Sequence, residues 1–457
     1  MGNLIDSLIS RFSRGAPPSS APQGPALYHY ERRWEEGERS RIHLRIDPPG
    51  DGQEGPGLLM VNASRALHLN PSAAYMARLA LDRTEEAQAV RLLTRRYRMG
   101  REQAASDFAA FRAQLEELIR PDGACPIHEL ELETLQPFSA RPSAPYRMDL
   151  ALTYRCNNDC AHCYNEASRC GNELSTADWK QVLDRLWEQG IPHIVFTGGE
   201  PTLRSDLPEL IAHAEGNGQI TGINTNGRRL LDQRFVESLV DAGLDHVQIT
   251  LESHDAAIHD HLVGAKGAWR QTVSGLRNVL TTNLYVMTNT TLLQENSPHL
   301  EQTLDFLAEL GVPTLGLNAL IYSGRGREVG TGLRESELPP LLELARRKTE
   351  AAGQRLIWYT PTQYCNFDPM QLDLGVKGCT AALYNMCIEP DGAVLPCQSY
   401  YRPVGNMLRD AWQAIWNHEL CLSLRERRYI EPRCRECALL AECGGGCPLA
   451  LQLDVKH

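Results

Sequence analysis

The sequence predicts an α/β protein built on a partial (β/α)6 barrel, with a winged-helix-like domain before it and a small cysteine-rich domain after it. The middle of the chain alternates apolar strand-like runs with amphipathic helical segments. This alternation is typical of parallel strands with right-handed helical crossovers. Before it, strand patterns precede three helical ones, and after residue 378 the chain is rich in Cys, Gly and Pro. We therefore expect a tail and linker over 1–25 and domains over 26–120, 145–330 and 360–457.

Size and charge exclude several classes of protein. The chain has 457 residues, of which 42% are hydrophobic and 23% charged, as in ordinary globular proteins of two or three domains. Its formal net charge of -11 argues against nucleic acid as the main partner, because phosphate binding needs a basic surface. Met1–Phe12 lacks the features of a secretory signal, and its apolar helical face fits a short docking helix better than a membrane-surface helix. We expect a cytoplasmic protein without membrane contact.

The small N-terminal domain is predicted from strand and cap signals. Ile42, Leu44 and Ile46 alternate with polar residues, as in a half-buried strand, and 58–69 is typical of a strand pair. Asn70 followed by a proline predicts a helix that begins there. Two further helical patterns follow it.

Six apolar runs predict the strands of the barrel. Ser175 with Asp178 predicts the start of the first barrel helix, and Gly190 its end. The predicted strands cover 148–154, 193–197, 219–225, 246–251, 284–292 and 314–320.

Cysteine usage indicates metal binding. Fourteen cysteines in a chain without a signal peptide favour metal sites over disulfides. Cys156, Cys160 and Cys163 form a CxxxCxxC group directly after the first barrel strand. Three thiolates can hold three irons of a cubane and leave the fourth iron open. A structural zinc would need a fourth ligand, and His162, between two of the cysteines, is poorly placed to supply it.

This CxxxCxxC group, followed by Thr197–Pro201 (TGGEP) at the end of the second strand, resembles the radical S-adenosylmethionine (SAM) superfamily. The resemblance implies a [4Fe-4S] cluster on the three cysteines, with SAM bound to the open iron. It also implies reductive SAM cleavage and hydrogen abstraction by a 5′-deoxyadenosyl radical, with no catalytic residue assigned beyond the cluster. The cofactor contacts that it implies are His162, Gly198, Gly199, Glu200, Thr225, Asn226, Thr250 and Glu252. Glycines allow backbone to approach a ligand closely, and Glu200 can accept from an ammonium group.

The C-terminal cysteines resemble a SPASM domain, the auxiliary-cluster module of radical SAM peptide-modifying enzymes. Taken alone, their CxxC-like groups would also fit a zinc ribbon. The resemblance implies two iron–sulfur clusters. The ligands of the first would be Cys379, Cys397 and Cys447, with Cys365 as the fourth, and those of the second Cys434, Cys437 and Cys443.

The C-terminal pattern departs from the family in one respect. The SPASM motif ends with a further cysteine downstream of Cys447, and none follows here. The second auxiliary cluster is thus left with an open iron, a ligand other than Cys, incomplete occupancy, or a ligand from Cys387 or Cys421. Cys125 and Cys170 match no motif and are interpreted as ordinary free thiols.

Residues 27–120 resemble the peptide-chaperone family of pyrroloquinoline-quinone biosynthesis, in the hairpin, the Leu69–Ala74 helix start (LNPSAA) and the helices after it. The resemblance implies binding of a precursor leader as an added strand. We expect the edge strand around Ile42, Leu44 and Ile46. A DNA-binding winged helix is the alternative, which the acidic charge disfavours. Four arginines fit either leader contact or a solvated helix face: Arg91, Arg95, Arg96 and Arg98.

Together these patterns predict a radical SAM peptide maturase that oxidatively modifies a residue of a ribosomally made precursor peptide. Such an enzyme needs a low-potential electron donor of the flavodoxin or ferredoxin type. The alternative is a radical SAM enzyme of tetrapyrrole (haem-type) biosynthesis. A zinc-stapled binding protein without catalysis is a third interpretation.

Overall fold

The computed structural model describes residues 25–34, 39–47, 55–62, 65–120, 142–165 and 171–451. The chain divides into two compact units, one of Met1–Ser143 with Glu188–Gly190 and one of Ala144–Trp187 with Ile191–His457. The predictions for residues 1–24, Cys125 and Cys170 lie outside the described residues. Within the described ranges, no helix combines the length and apolar character that a membrane crossing requires.

The first unit is a four-stranded antiparallel sheet in the order β1-β2-β3-β4, followed by three helices. Asn70 caps the first helix, since its side chain accepts from the backbone nitrogen of Ala73 at 2.8 Å, as the sequence predicted. The strands are β1 Ala26–Arg33, β2 Arg39–Ile46, β3 Gly57–Val61 and β4 Arg65–Leu69, and the helices are α1 Pro71–Leu81, α2 Glu86–Arg96 and α3 Arg101–Leu118. This arrangement confirms the winged-helix-like fold.

The strand predicted as the edge of this sheet is an interior strand. β2 carries Ile42 and Leu44, both fully buried, and pairs with β1 on one side and β3 on the other. The prediction was wrong because β1, with the sequence ALYHYERR, was not recognised as a strand. The edges of the sheet are β1 and β4.

The second unit contains the predicted barrel sheet. Its parallel strands lie in the order β11-β10-β9-β8-β7-β6-β5, and the six predicted strands are all present. They are β5 Arg147–Thr153, β6 His193–Gly198, β7 Ile220–Thr225, β8 His246–Thr250, β9 Tyr285–Leu292 and β10 Thr314–Ala319. The structure adds β11, Arg355–Trp358, a four-residue strand too short to give a periodic signal.

Helices follow the barrel strands along the chain and bury their apolar faces on the sheet, as Trp179 and Leu183 do. Ser175 and Asp178 bond reciprocally at the start of the first barrel helix, and Gly190 has a φ of 73° just beyond its end, as predicted. These helices are α4 Thr176–Glu188, α5 Leu207–Asn217, α6 Gln233–Asp241, α7 Ala256–Leu262, α8 Ala268–Leu280, α9 Leu300–Glu309 and α10 Leu338–Ala351.

The cysteine-rich segment continues the barrel sheet. β12, Asn385–Ile388, lies parallel to β5, with Cys387 opposite Asp149. β13, Ala393–Leu395, and β14, Gly405–Asn406, follow it in antiparallel pairing. Short helices complete the segment: α11 Trp412–Trp416, α12 Glu419–Arg425, α13 Leu440–Cys443 and α14 Pro448–Leu451. The three-cysteine loop and the C-terminal cysteines therefore lie on one continuous scaffold.

Candidate active site

The three-cysteine loop leaves the carboxyl end of β5 and is anchored on the end of α7. The backbone nitrogen of Asp159 donates to the carbonyl of Val263 at 2.9 Å, and that of Ala161 donates to Leu262 at 3.2 Å. Parallel strands bring their carboxyl ends to one edge of a sheet, where barrel enzymes carry their chemistry. The loop thus lies where the polar ends of β6, β7 and β8 also meet.

The thiols of this loop suit a metal cluster. Burial above all raises the pKa of Cys156 to about 11, and burial and then the neighbouring Cys163 raise the pKa of Cys160 further. Both side chains are free of disulfides. Thiolates here need compensating positive charge, which a bound iron–sulfur cluster supplies. The donor set of three thiolates therefore fits a cubane with one open iron.

Among the residues that the structure describes, no three His, Cys, Asp or Glu side chains are grouped to hold a single metal ion. A cubane does not require such a group, since each thiolate binds a different iron atom.

The two glycines after β6 accommodate the cysteine loop. A Cβ atom on Gly198 would lie 2.3 Å from the carbonyl oxygen of Thr153, and one on Gly199 would lie 2.5 Å from that of Arg155. The backbone nitrogen of Gly199 donates to Thr153 at 2.8 Å. The close approach that requires glycine here is therefore between β6 and the start of the cysteine loop. Contact of either glycine with the cofactor stays a prediction.

Glu200 is a buried organising carboxylate. One oxygen accepts from the Thr202 hydroxyl at 2.6 Å and the Thr225 hydroxyl at 2.7 Å, and the other accepts from the backbone nitrogen of Asn226 at 2.8 Å. Burial raises the pKa of Glu200, against the effect of these hydrogen bonds. Its side chain therefore joins the end of β6 to the end of β7.

Asn226 connects β7 to the cysteine loop. Its side-chain nitrogen donates to the Asn157 side chain at 2.6 Å and lies 4.0 Å from the sulfur of Cys156. Arg228, which the sequence analysis missed, donates to the Asn158 side chain at 2.8 Å and to the Asn157 carbonyl. The run NTNGRR at the end of β7 could have indicated this role for Arg228, because an arginine one turn after a strand end can reach a neighbouring loop.

His162, which lies within the cysteine loop, forms a buried pair with Glu252, which follows β8. His162 Nε2 lies 3.0 Å from Glu252, whose other carboxylate oxygen accepts from the Thr291 backbone nitrogen at 2.9 Å. Burial acts to lower the pKa of His162, but the charge of Glu252 outweighs it and raises that pKa. Thr250 ends β8 and pairs with Asn289 of β9. The structure thus directs Glu252 to His162 and the backbone of β9, and cofactor contact by these residues stays a prediction.

Three C-terminal cysteines lie together against the main core: Cys379, Cys397 and Cys447. Burial, followed by the negative charges of Cys447 and Cys397, raises the pKa of Cys379 well above its usual range. This grouping matches the first auxiliary set that the family resemblance implies, apart from its fourth member.

The other C-terminal cysteines form a second group in consecutive turns. The backbone nitrogen of Cys437 donates to the carbonyl of Cys434 at 3.2 Å, and Cys443 ends α13. The residue before Cys365, Tyr364, donates its backbone N–H to the sulfur of Cys443 at 3.4 Å. The structure therefore places Cys365 beside the second group, whereas the resemblance assigned it to the first. Chain order alone could not reveal this, because the contact spans 79 residues.

Comparisons with known proteins agree with this geometry. The profile of the radical SAM superfamily matches residues 150–307, that of the SPASM iron–sulfur cluster-binding domain matches 379–438, and that of coenzyme PQQ synthesis protein D matches 57–118. The chain is 31% identical over 324 residues to Fe-coproporphyrin III synthase of Methanosarcina barkeri, which covers 64% of this chain and 81% of that protein. This chain belongs to the radical SAM superfamily.

Solved structures with bound S-adenosylmethionine share the fold. Streptococcus suis SuiB bound to S-adenosylmethionine aligns with a TM-score of 0.65 at 17% identity, over 87% of this chain and 93% of SuiB. The enzyme anSMEcpe with bound AdoMet aligns with a TM-score of 0.54 at 16% identity, over 66% of this chain and 89% of the other. The protein is thus a radical SAM enzyme that uses SAM and [4Fe-4S] clusters, with SPASM and PqqD-type domains.

Proposed function

We propose that this radical SAM enzyme oxidatively modifies a residue of a ribosomally made precursor peptide, whose leader adds a strand to the N-terminal sheet. The observation that carries the proposal is the edge strand β1 in a domain that includes the PqqD-type match. Among the residues that the structure describes, β1 pairs with β2 alone, and strand addition needs such an edge.

A groove beside β1 supports the proposal. A cavity of about 510 Å³ lies between the end of β1, the α1–α2 turn and α3. Its lining includes Arg32 and Arg33 from β1 and Arg112 and Glu116 from α3. A peptide paired to β1 would place alternate side chains in this groove, where both acidic and basic residues find a partner.

The arginines of α2 are placed differently. Arg91 and Arg95 are exposed, and the Arg96 guanidinium stacks 4.3 Å from the Tyr75 ring centroid. None of these residues lines the groove beside β1. The groove arginines are therefore better candidates for leader contacts.

The catalytic unit in this proposal is the edge formed by β5–β8. Cys156, Cys160 and Cys163 would hold the SAM-binding cluster, and the strand ends carrying Glu200 and Asn226 would form the SAM site. When bound, the cluster and SAM supply a 5′-deoxyadenosyl radical that removes a hydrogen atom from the peptide. We further propose a flavodoxin- or ferredoxin-type electron donor and a cytoplasmic location.

Leader binding can be tested with charge reversals. Arg32→Glu with Arg112→Glu should weaken binding of a fluorescent leader peptide about tenfold, since each exposed charge pair contributes up to about 1 kcal/mol. Arg91→Glu with Arg95→Glu is the matched control and should leave affinity within about twofold. Equal affinity of both double variants would reject the groove as the binding site.

A shortened chain tests whether leader binding and SAM cleavage belong to different units. A chain that begins at Ala140 retains all of the second unit and should still cleave SAM, with the leader bound far more weakly. Unchanged leader affinity would show that the first unit does not bind the leader.

A tetrapyrrole substrate is the second candidate, favoured by the likeness to Fe-coproporphyrin III synthase. A porphyrin has no leader, so the PqqD-type domain would be without a role. Anaerobic assays with dithionite distinguish the candidates. SAM-dependent formation of Fe-coproporphyrin III from a tetrapyrrole precursor, without conversion of a precursor peptide, would establish the tetrapyrrole activity.

A further inference from the structure

The loop that carries Cys365 packs against the segment that carries the second group of cysteines. The backbone N–H of Tyr364 donates to Cys443 Sγ at 3.4 Å, and that sulfur lies 3.7 Å from the carbonyl oxygen of Thr362. The Gln363 side chain donates to Glu431 at 3.4 Å, three residues before Cys434. Three consecutive residues before Cys365 thus contact this segment.

A glycine permits the close packing of these two segments. Gly446 has a φ of 82°, and a Cβ atom there would lie 3.0 Å from the Cγ atom of Gln363. Its position between Cys443 and Cys447 lets the chain turn while the Cys365 loop lies against it. The proximity of Cys365 to the second group is therefore supported by several independent contacts.

We propose that Cys365 is the fourth ligand of the second auxiliary cluster, completing a set with Cys434, Cys437 and Cys443. Four thiolates are the ordinary ligand set of a [4Fe-4S] cluster, and hydrogen bonds to the ligating sulfurs tune its potential. The N–H of Tyr364 already makes such a bond to Cys443.

The electrostatics agree with a shared cluster. Cys434 lies within electrostatic range of Glu431, Cys365 and Cys443, and Arg433 acts on it with the opposite charge. Several thiolates this close to a carboxylate repel one another, and bound iron removes that repulsion.

The two other cysteines considered for this position are held elsewhere. Cys421 is fully buried on α12 in the main core, and Cys387 is fully buried on β12. The Cys387 thiol donates to the carbonyl of Ile388 at 3.7 Å. Both side chains are therefore held in the packed interior by their own elements.

The test uses the full chain with Cys156, Cys160 and Cys163 all replaced by alanine, so that only auxiliary clusters remain. Cys365→Ala is then added to either of two backgrounds. One carries Cys434→Ala and Cys437→Ala and retains the first auxiliary cluster, and the other carries Cys379→Ala and Cys397→Ala and retains the second. After anaerobic reconstitution, iron per chain and the electron paramagnetic resonance of the dithionite-reduced protein are measured.

Cys365→Ala should leave iron and spectrum unchanged in the background that retains the first cluster. In the background that retains the second, it should change the spectrum and lower iron from about four atoms per chain. The reverse pattern would overturn the proposal, as would no change in either background. Cys421→Ala is the control for loss of a cysteine outside the site. Cys365→Ser, which keeps a weaker oxygen donor, should shift the same spectrum, so the result does not depend on the alanine variant folding.

Discussion

The backbone nitrogen of Glu200 donates a hydrogen bond to the carbonyl oxygen of Arg155 at 2.9 Å. This bond joins the end of β6 to the first turn of the cysteine loop. The strand that carries the GGE run therefore shapes the loop that carries the proposed cluster ligands. Substitutions in the GGE run should accordingly alter iron binding by the cysteine loop.

Gly199→Ala should disrupt the cysteine loop. The new Cβ would meet the carbonyl oxygens of Arg155 at 2.5 Å and Tyr154 at 2.7 Å, and these backbone atoms cannot move away without displacing the loop. We expect lower iron content after anaerobic reconstitution and loss of SAM cleavage. Gly216→Ala is the control, because nothing lies within 4 Å of its Cβ position on α5, and it should stabilise the helix by up to about 1 kcal/mol. Equal iron content in both variants would contradict the packing argument.

Replacing Cys156, Cys160 and Cys163 together by alanine should remove about four iron atoms per chain and abolish SAM cleavage. Each cysteine is expected to hold one iron, so no partial site remains. The measurement is release of 5′-deoxyadenosine from SAM with dithionite. Residual release by the triple variant would mean that the SAM cluster lies elsewhere.

Loss of the second auxiliary cluster should separate two activities. Cys434→Ala with Cys437→Ala should lower the iron content, while SAM cleavage in the absence of substrate persists. The reason is that the proposed SAM site is built from the ends of β5–β8 and the loop after β5, which carry neither of these cysteines. Full modification of the substrate by this double variant would refute an essential role for the cluster.

Glu252→Ala should destabilise the second unit by about 1–3 kcal/mol, the range for leaving a buried hydrogen-bonding group without its partner. The change leaves His162 and the backbone nitrogen of Thr291 without their partner. Glu252→Gln keeps an acceptor and should cost less. Glu301→Ala is the control, since its exposed pair with Lys348 at 3.3 Å should contribute less than about 1 kcal/mol. Thermal unfolding at pH 7 gives the comparison, and similar melting temperatures for Glu252→Ala and Glu301→Ala would contradict it.

His246 should make stability depend on pH. Burial, and then the positive charge of Arg147, lower its pKa to about 4, whereas an unfolded histidine titrates near 6.5. The folded state therefore resists a proton that the unfolded state accepts. Stability present above about pH 6.5 is lost as pH falls towards 4, by up to about 3 kcal/mol. Melting temperatures between pH 7.5 and 5 should fall less steeply for His246→Gln than for the control His261→Gln, an exposed histidine, and equal slopes would refute the effect.

Sequence patterns predicted the barrel well because its strands are long and buried. The six runs lie within a residue or two of their observed bounds, since most of their residues are buried and each run is followed by an amphipathic helix. β1 was missed because its apolar alternation stops after Tyr30 and the strand ends in the charged run Glu31–Arg33. The four residues of β11 were too few to show a period.

The candidate site was predicted in its residues more than in its contacts. The run TGGEP is local in sequence, but its two glycines pack closely against the backbone at the end of β5 and the start of the cysteine loop. The placement of Cys365 beside Cys443 likewise depends on a contact between distant segments. Spacing motifs identify ligand types, and they do not show which ligands share a cluster.

The parallel pairing of β12 with β5 also affects how the protein can be divided. Without the segment after residue 360, the first barrel strand would expose a row of unpaired backbone groups along Arg147–Leu150. Such uncovered edges promote self-association and aggregation. The C-terminal segment therefore has a role in solubility besides any role in electron transfer, and point substitutions of its cysteines are a cleaner probe of cluster function than deletion.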